Sequence, residues 1–188
     1  MKQLLIKLKA CKEAKEWAGD KTWEEVYNTC HRGDWFLWLH QRTNNEDLRV
    51  RTLAKGHCVN TVRHLMQDER SLKAVDTAIA FGEGRATRQE LDASVTGAIA
   101  AANAADNAAD NANYDNYPSI YAAFSAASSG ATDSAYIAAG AGAFGACAAK
   151  IKNQKETADI VRKYIPIEFW NVQKMIDEVK VEKEVNND

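Results

Sequence analysis

The residue types that most often bind metal ions or perform catalysis are scattered along this chain. His57, His64 and Asp68 recur at helical spacing and could share one helix face, which makes them the best metal candidate. They form no His-Glu-x-x-His motif, and Asp68 could simply orient His64. We therefore predict no metal site and no cofactor.

The sequence contains no clear motif for nucleophilic or acid–base catalysis. Cys30 and His31 are adjacent, and consecutive residues of a helix point in different directions. The serines lack the strand-to-helix elbow of hydrolases, and Gly82-x-Gly84 lacks the strand and third glycine of a dinucleotide-binding loop. Asp106 and Asp110 could pair as acids, but they lie among asparagines that suit a solvated face. We predict no catalytic residues and a protein that is not an enzyme.

Length and composition describe one ordinary globular domain. The 188 residues suffice for a full core, and 24 basic against 26 acidic residues give a net charge of -2. This balance argues against direct nucleic-acid binding, which depends on clustered Lys and Arg. The four cysteines form no C-x-x-C pair and are predicted to be buried free thiols in a reducing compartment. Without a signal peptide or a membrane-spanning run, the chain is predicted to be cytoplasmic.

The charges are distributed unevenly, and the middle of the chain contains no base. No Lys, Arg or His lies between Arg88 and Lys150. A surface of this kind suits a protein partner that is basic. The acidic residues of the segment are Glu90, Asp92, Asp106, Asp110, Asp115 and Asp133.

Alanine dominates residues 98–113, where it favours a helix because it loses no side-chain entropy on ordering. Three asparagines of this stretch recur at every fourth position, and two of its aspartates are also four residues apart. Each set is therefore predicted to lie along one side of the helix. We predict that a protein partner binds this side, with two nearby tyrosines as aromatic anchors. The predicted partner-binding residues are Asn103, Asn107, Asn111, Asp106, Asp110, Asp115, Tyr114 and Tyr117.

Helix signals fill the remaining sequence, and no strand alternation is present. Thr22–Glu25 and Thr87–Glu90 are capping boxes that mark helix starts. The second of these helices is predicted to turn Leu91, Val95 and Ile99 inward. The predicted fold is all-α, a single-domain bundle of about eight or nine helices with a central Ala-rich helical pair. Other helices are predicted over 9–18, from the caps at 44–47 to about 66, over 71–81 and over 157–165. A last helix is predicted from 167 to about 185, and its apolar residues are Phe169, Val172, Ile176 and Val179.

A dense block of charged and aromatic residues follows the helix that begins at Thr22. Gly33 is predicted to end that helix and Asp34 to cap the next, with Arg32 and Asp34 satisfying helix ends. Trp35 and Trp38 are predicted to fill the core. We interpret this block as a structural centre.

Four stretches together resemble a known family. They are Cys11–Ala18, Asn28–Leu39, Thr87–Leu91 and Asp159–Pro166. The pattern is similar to the fifth immunity-protein family of bacterial polymorphic toxin systems over about residues 9–166, and the block up to Leu39 is its most specific part. The resemblance implies an all-α, alanine-rich protein that binds and neutralises a toxin without catalysis. It supplies no contact residues, and the C-terminal helix and polar tail (167–188) lie outside it.

The predicted function is therefore stoichiometric inhibition of a toxin or nuclease by occlusion. Three alternatives stay open. The chain could be a phage-encoded antagonist of bacterial defence, such as an anti-CRISPR protein that mimics nucleic acid. It could instead be an enzyme or metal protein, or a purely structural helical module. The Gly/Ala face of Ala135 to Ala149 could also pack against a second copy of the chain, forming a homo-oligomer.

Overall fold

A computed structural model of the chain describes residues 1–44, 48–66, 68–109 and 147–185. All regular elements in these ranges are helical and pack as one bundle, so the all-α prediction is confirmed. Of the predicted Ala-rich pair the first helix is described, and most of the second lies outside these ranges. The helices are α1 (Lys2–Lys7), α2 (Lys12–Ala18), α3 (Trp23–Thr29), α4 (Gly33–Thr43), α5 (Leu48–Asn60), α6 (Glu69–Gly82), α7 (Arg88–Ala109), α8 (Cys147–Tyr164) and α9 (Val172–Val185), with 3-10 turns at Arg63–Leu65 and Ile167–Phe169.

Both predicted capping boxes are present. The Glu25 amide donates to Thr22 Oγ1 over 3.1 Å, and the Thr22 amide donates to Glu25 Oε2 over 2.8 Å. Thr87 and Glu90 make the same pair of bonds over 3.2 and 2.7 Å. Hydrogen bonds from the Thr22 and Thr87 amides lower the pKa of the two glutamates, because they stabilise the ionised carboxylates.

Several helix boundaries differ from the predicted ones. The helix predicted over 9–18 begins at Lys12, because Lys9 adopts a φ of 58° that is incompatible with an α-helix and separates α1 from α2. α5 ends at Asn60 rather than near Met66, and a 3-10 turn follows it. α8 begins ten residues before the predicted start at Thr157.

The core has two neighbouring parts that meet at α5. The larger part combines residues of α1–α4, α8 and α9, and the smaller part combines residues of α5, α6 and α7. Ala54 and Cys58 of α5 belong to the larger part, whereas Val59 belongs to the smaller one. The Ala-rich helix α7 therefore lies on the side of the bundle that α6 covers.

Trp170 lies at the centre of the larger part. Its ring centroid is 5.2 Å from that of Trp23 and 4.9 Å from that of His40, and its indole N–H donates to the Ile165 carbonyl over 3.0 Å. Phe169 belongs to the apolar series predicted for the last helix, but it lies in a 3-10 turn ahead of α9 and is 56% exposed. Val172, Ile176 and Val179 of α9 are buried as predicted.

The adjacent residues Phe169 and Trp170 allow a matched test of this core. Trp170→Ala should lower the free energy of unfolding by ~3–5 kcal/mol, the usual cost of deleting a large buried aromatic side chain. Phe169→Ala should change it by less than ~0.5 kcal/mol, because the ring is mostly in water. Urea unfolding followed by circular dichroism measures both. Equal losses for the two variants would contradict the assignment of Trp170 to the core.

Candidate functional site

The outer side of α7 is the described part of the predicted partner-binding face. Leu91, Ala98 and Ala101 point into the protein and are fully or almost fully buried. The opposite side of the helix is exposed. The residues on it are Thr96, Ile99, Ala100 and Asn103.

Ile99 departs from its predicted position. The sequence predicts it to be inward, but 48% of its surface is exposed. The buried stripe of α7 passes instead through the small residues Ser94, Ala98 and Ala101, and Ala98 belongs to a core cluster that includes Ala74 and Val75 of α6. Small residues let the two helices approach closely, so the helix is rotated and a large apolar side chain remains in solvent.

Three of the predicted partner-binding residues fall within the span of α7. Asn103 is exposed, and Asp106 and Asn107 follow it before the helix ends at Ala109. The other predicted residues lie outside the described ranges, and their role stays a prediction. They are Asp110, Asn111, Tyr114, Asp115 and Tyr117.

The first acids of the base-free segment are engaged within α7 itself. Glu90 completes the capping box with Thr87, and Asp92 pairs with Arg88 one turn earlier at 2.8 Å. An exposed pair of this kind contributes little to stability. Any strongly acidic surface must therefore depend on the aspartates beyond residue 103.

The block from Arg32 to Trp38 is built differently from the prediction. α3 ends at Thr29, and Gly33 is the first residue of α4 rather than a stop signal. Asp34 caps no helix. Its carboxylate instead accepts from Arg32 Nε over 2.8 Å and from the Arg32 terminal nitrogen over 2.6 Å. This pair is largely shielded, with 19% and 11% of the two side chains exposed, and it raises the pKa of Arg32.

Gly33 is required at this position by a close helix crossing. A Cβ atom built on Gly33 would lie 2.5 Å from Thr157 Oγ1 and 2.7 Å from the Thr157 carbonyl carbon of α8. The backbone of α4 therefore touches α8 directly. Because Thr157 is 124 residues away along the chain, no local pattern could indicate this constraint.

Arg162 of α8 fixes the loop that leads into α4. Its guanidinium donates to the carbonyl of Tyr27 over 2.7 Å and to that of Cys30, and it lies 5.0 Å from the centre of the Phe36 ring. These carbonyls belong to the last turn and the cap of α3, where helices leave acceptors unsatisfied. The start of α4 is thus positioned by α8 at two points, Gly33 and the Arg162 contacts.

Trp35 and Trp38 line a cavity instead of filling the core. Both are half-buried, whereas Phe36 and Leu37 between them are fully buried. The cavity has a volume of about 300 Å³ and lies between α1, α2, the end of α3 and the start of α4. Trp17 of α2 is the third tryptophan of its wall, and no sequence pattern indicated the cavity.

The histidine and cysteine candidates are placed apart by the fold. His57 stacks on Tyr164 with ring centroids 4.3 Å apart, and Asp68 pairs with Arg70 rather than with His64. Within the described ranges, no three His, Cys, Asp or Glu side chains come together as a metal site requires.

Cys30 and His31 lie in contrasting environments. Cys30 is buried, and burial raises the pKa of its thiol to about 11, so the thiol stays protonated at neutral pH. His31 is exposed and contacts the Trp17 ring edge-on, with centroids 6.5 Å apart. This arrangement does not provide an activated thiolate. Cys11, at the start of α2, is exposed, so the prediction of buried thiols is wrong for this cysteine.

The chain matches no protein-family model, no curated protein and no solved structure. Across the helices that the structure describes, none has both the length and the apolar character needed to cross a bilayer.

Glycine-to-alanine replacements in two helices test the α4–α8 crossing. Gly33→Ala should lower the free energy of unfolding by ~1–3 kcal/mol, because the new methyl group overpacks a backbone contact. Gly97→Ala in α7 is the control, since its methyl group would lie 3.8 Å from Arg70 Cβ, an ordinary contact. That control should leave stability unchanged or raise it by up to ~1 kcal/mol through helix propensity. Denaturant titration of both proteins measures the difference, and an unaffected Gly33→Ala protein would refute the crossing.

Proposed function

We propose that this protein is a non-enzymatic inhibitor that binds a basic toxin or nuclease and occludes it stoichiometrically, as an immunity protein does. The observation that carries the proposal is the absence of any base between Arg88 and Lys150. A segment of that length without Lys, Arg or His creates a negative potential that a basic partner would meet first. The resemblance to the fifth immunity-protein family supports the same conclusion.

The described part of α7 supplies the frame for this surface. α7 starts at a capping box and packs on α6 through small buried residues, so its outer side belongs to a helix that the core holds in place. Asp106 and Asn107 follow the exposed Asn103 at spacings of three and four, which a helix places on one side. A rigid helix presents charges without an ordering cost on binding.

Ile99 adds an apolar contact to the acidic surface. Interfaces draw most of their affinity from a few anchors that become fully desolvated, while charges on the rim mainly set the association rate. An isoleucine that is 48% exposed on the outer side of α7 is suited to such an anchor. In the proposed mechanism the aspartates raise the association rate, and Ile99 lowers the dissociation rate of the complex.

Charge reversal tests the steering role of the acidic face. After affinity capture and mass spectrometry have identified the partner, Asp106→Lys with Asp110→Lys should slow association at least tenfold at low salt. It should also flatten the salt dependence, because screening acts on long-range attraction. Stopped-flow measurement over a salt series gives both quantities.

The control carries the same change of net charge elsewhere on the protein. Glu24→Lys with Glu178→Lys replaces two exposed acids on α3 and α9. This control should retain most of the association rate and its salt dependence. If both double variants slow association equally, net charge alone acts and the face on α7 has no special role.

A second test addresses the apolar anchor. Ile99→Ala should accelerate dissociation from the captured partner by about tenfold, a loss of ~1.4 kcal/mol, with little change in the association rate. Ile6→Ala is a matched control, because Ile6 lies on α1 and is also 48% exposed. Surface plasmon resonance resolves the two rates, and equal effects of both variants would remove Ile99 from the interface.

The spacing of the carboxylates favours a second candidate function, the mimicry of nucleic acid. Asp106 and Asp110 are four residues apart in the sequence, a spacing that an uninterrupted α-helix would convert into about 6 Å. Such a series of negative charges can imitate a phosphate backbone, as a phage-encoded antagonist of a defence nuclease would require. Nucleic acid should then displace the protein from its captured partner. A complex that resists excess DNA and RNA would favour the toxin inhibitor.

A further inference from the structure

We propose that the cavity between α1, α2 and α4 binds a small, neutral, apolar molecule. The cavity is a separate site from the acidic face, because it belongs to the larger part of the core while α7 belongs to the smaller part. This inference does not depend on the proposed inhibitory function.

The size and walls of the cavity suit a compact ligand. Its volume of about 300 Å³ lies at the lower end of the range for small-molecule pockets, roughly 300–1,000 Å³. Ala10, which precedes α2, and Ala14 and Ala18 of α2 recur at every fourth position and all line the cavity. Their short side chains leave the space that larger residues would otherwise fill. The indole rings of Trp17, Trp35 and Trp38 supply the aromatic part of the wall.

The charged side chains that line the cavity pair with one another within the protein. Arg32 and Asp34 bind each other through two hydrogen bonds of 2.8 and 2.6 Å, and a third nitrogen contact of Arg32 reaches Glu13 at 3.4 Å. An anionic ligand would have to break this arrangement to reach the guanidinium. Removing one partner from a shielded ion pair is costly, so the pair disfavours an anion.

Cationic ligands are disfavoured by the tryptophans themselves. Lys21 Nζ lies 4.7 Å from the centre of the Trp17 ring, and the guanidinium carbon of Arg32 lies 4.5 Å from that of Trp35. Trp38 has Arg42 at 5.8 Å. Each indole thus already has a cation of the protein over its ring. A positively charged ligand would have to displace that cation or be repelled by it. A neutral ligand encounters neither obstacle.

Two fluorescent probes with the same ring skeleton test the charge preference. N-phenylnaphthylamine is neutral, and anilinonaphthalene sulfonate (ANS) carries an added sulfonate. The neutral probe should bind the wild-type protein saturably, at one equivalent, and at least tenfold more tightly than ANS. Absence of saturable binding, or equal or tighter binding of ANS, would overturn the proposal.

A cavity-filling variant tests the location. Ala14→Leu adds three carbon atoms to the cavity wall and should weaken the neutral probe at least tenfold. Ala100→Leu makes the same change on the exposed side of α7 and should leave binding unchanged. If the circular dichroism spectrum of Ala14→Leu differs from wild type, the smaller Ala14→Val carries the test, with a weakening of at least threefold. Undiminished binding in a folded Ala14 variant would refute the site.

Cys11 provides a second readout that needs no substitution. It is exposed and lines the cavity, whereas Cys30 and Cys58 are buried and burial raises the pKa of both thiols. A saturating concentration of the neutral probe should slow alkylation of Cys11 by iodoacetamide at least threefold, as read for that residue by peptide mass spectrometry. An unchanged rate would place the probe elsewhere and overturn the assignment.

Discussion

The hydrogen bonds of Arg162 are the interaction on which the arrangement of the larger core depends. The guanidinium satisfies the Tyr27 and Cys30 carbonyls at the end of α3, and the Tyr27 hydroxyl donates back to the Ile165 carbonyl over 3.2 Å. Carbonyls at a helix end need such partners when they are shielded from water. Because α4 begins three residues after Cys30, this contact also sets where Arg32 and the tryptophans of the cavity lie. One charged side chain therefore positions a site to which it does not itself belong.

Local features were predictable from the sequence, and features that depend on distant partners were not. The capping boxes at Thr22 and Thr87 involve residues three positions apart, so their residue types suffice to identify them. The role of Gly33 depends on Thr157, which α8 brings against it, and Gly33 was accordingly interpreted as an ordinary helix stop. Ile99 is exposed because α7 packs on α6 through small residues, and this packing leaves the isoleucine on the outer side of the helix. Part of the acidic face stays a prediction, because its later residues lie outside the described ranges.

The two proposed sites occupy different parts of one bundle that share only α5. The cavity is formed by short helices whose positions depend on α8 and on Trp170, whereas the outer side of α7 depends on the α6 contact. The two sites also differ in the charged residues around them. Around the cavity, acids and bases pair with each other, whereas the sequence between Arg88 and Lys150 contains no base. The proposed neutral pocket and the proposed acidic face thus correspond to different distributions of charge along the chain.

The bonds that close the larger core join residues far apart in the sequence, and this affects how the chain is made. Arg162 and Cys30 are 132 residues apart, Asn44 and Phe169 are 125 apart, and Lys7 and Glu182 are 175 apart. During synthesis, α1–α4 emerge from the ribosome long before the helices that complete their packing. Such long-range closure slows folding relative to helical proteins with local contacts. The nascent N-terminal helices must therefore keep their apolar faces exposed, or sheltered by a chaperone, until α8 and α9 have been synthesised.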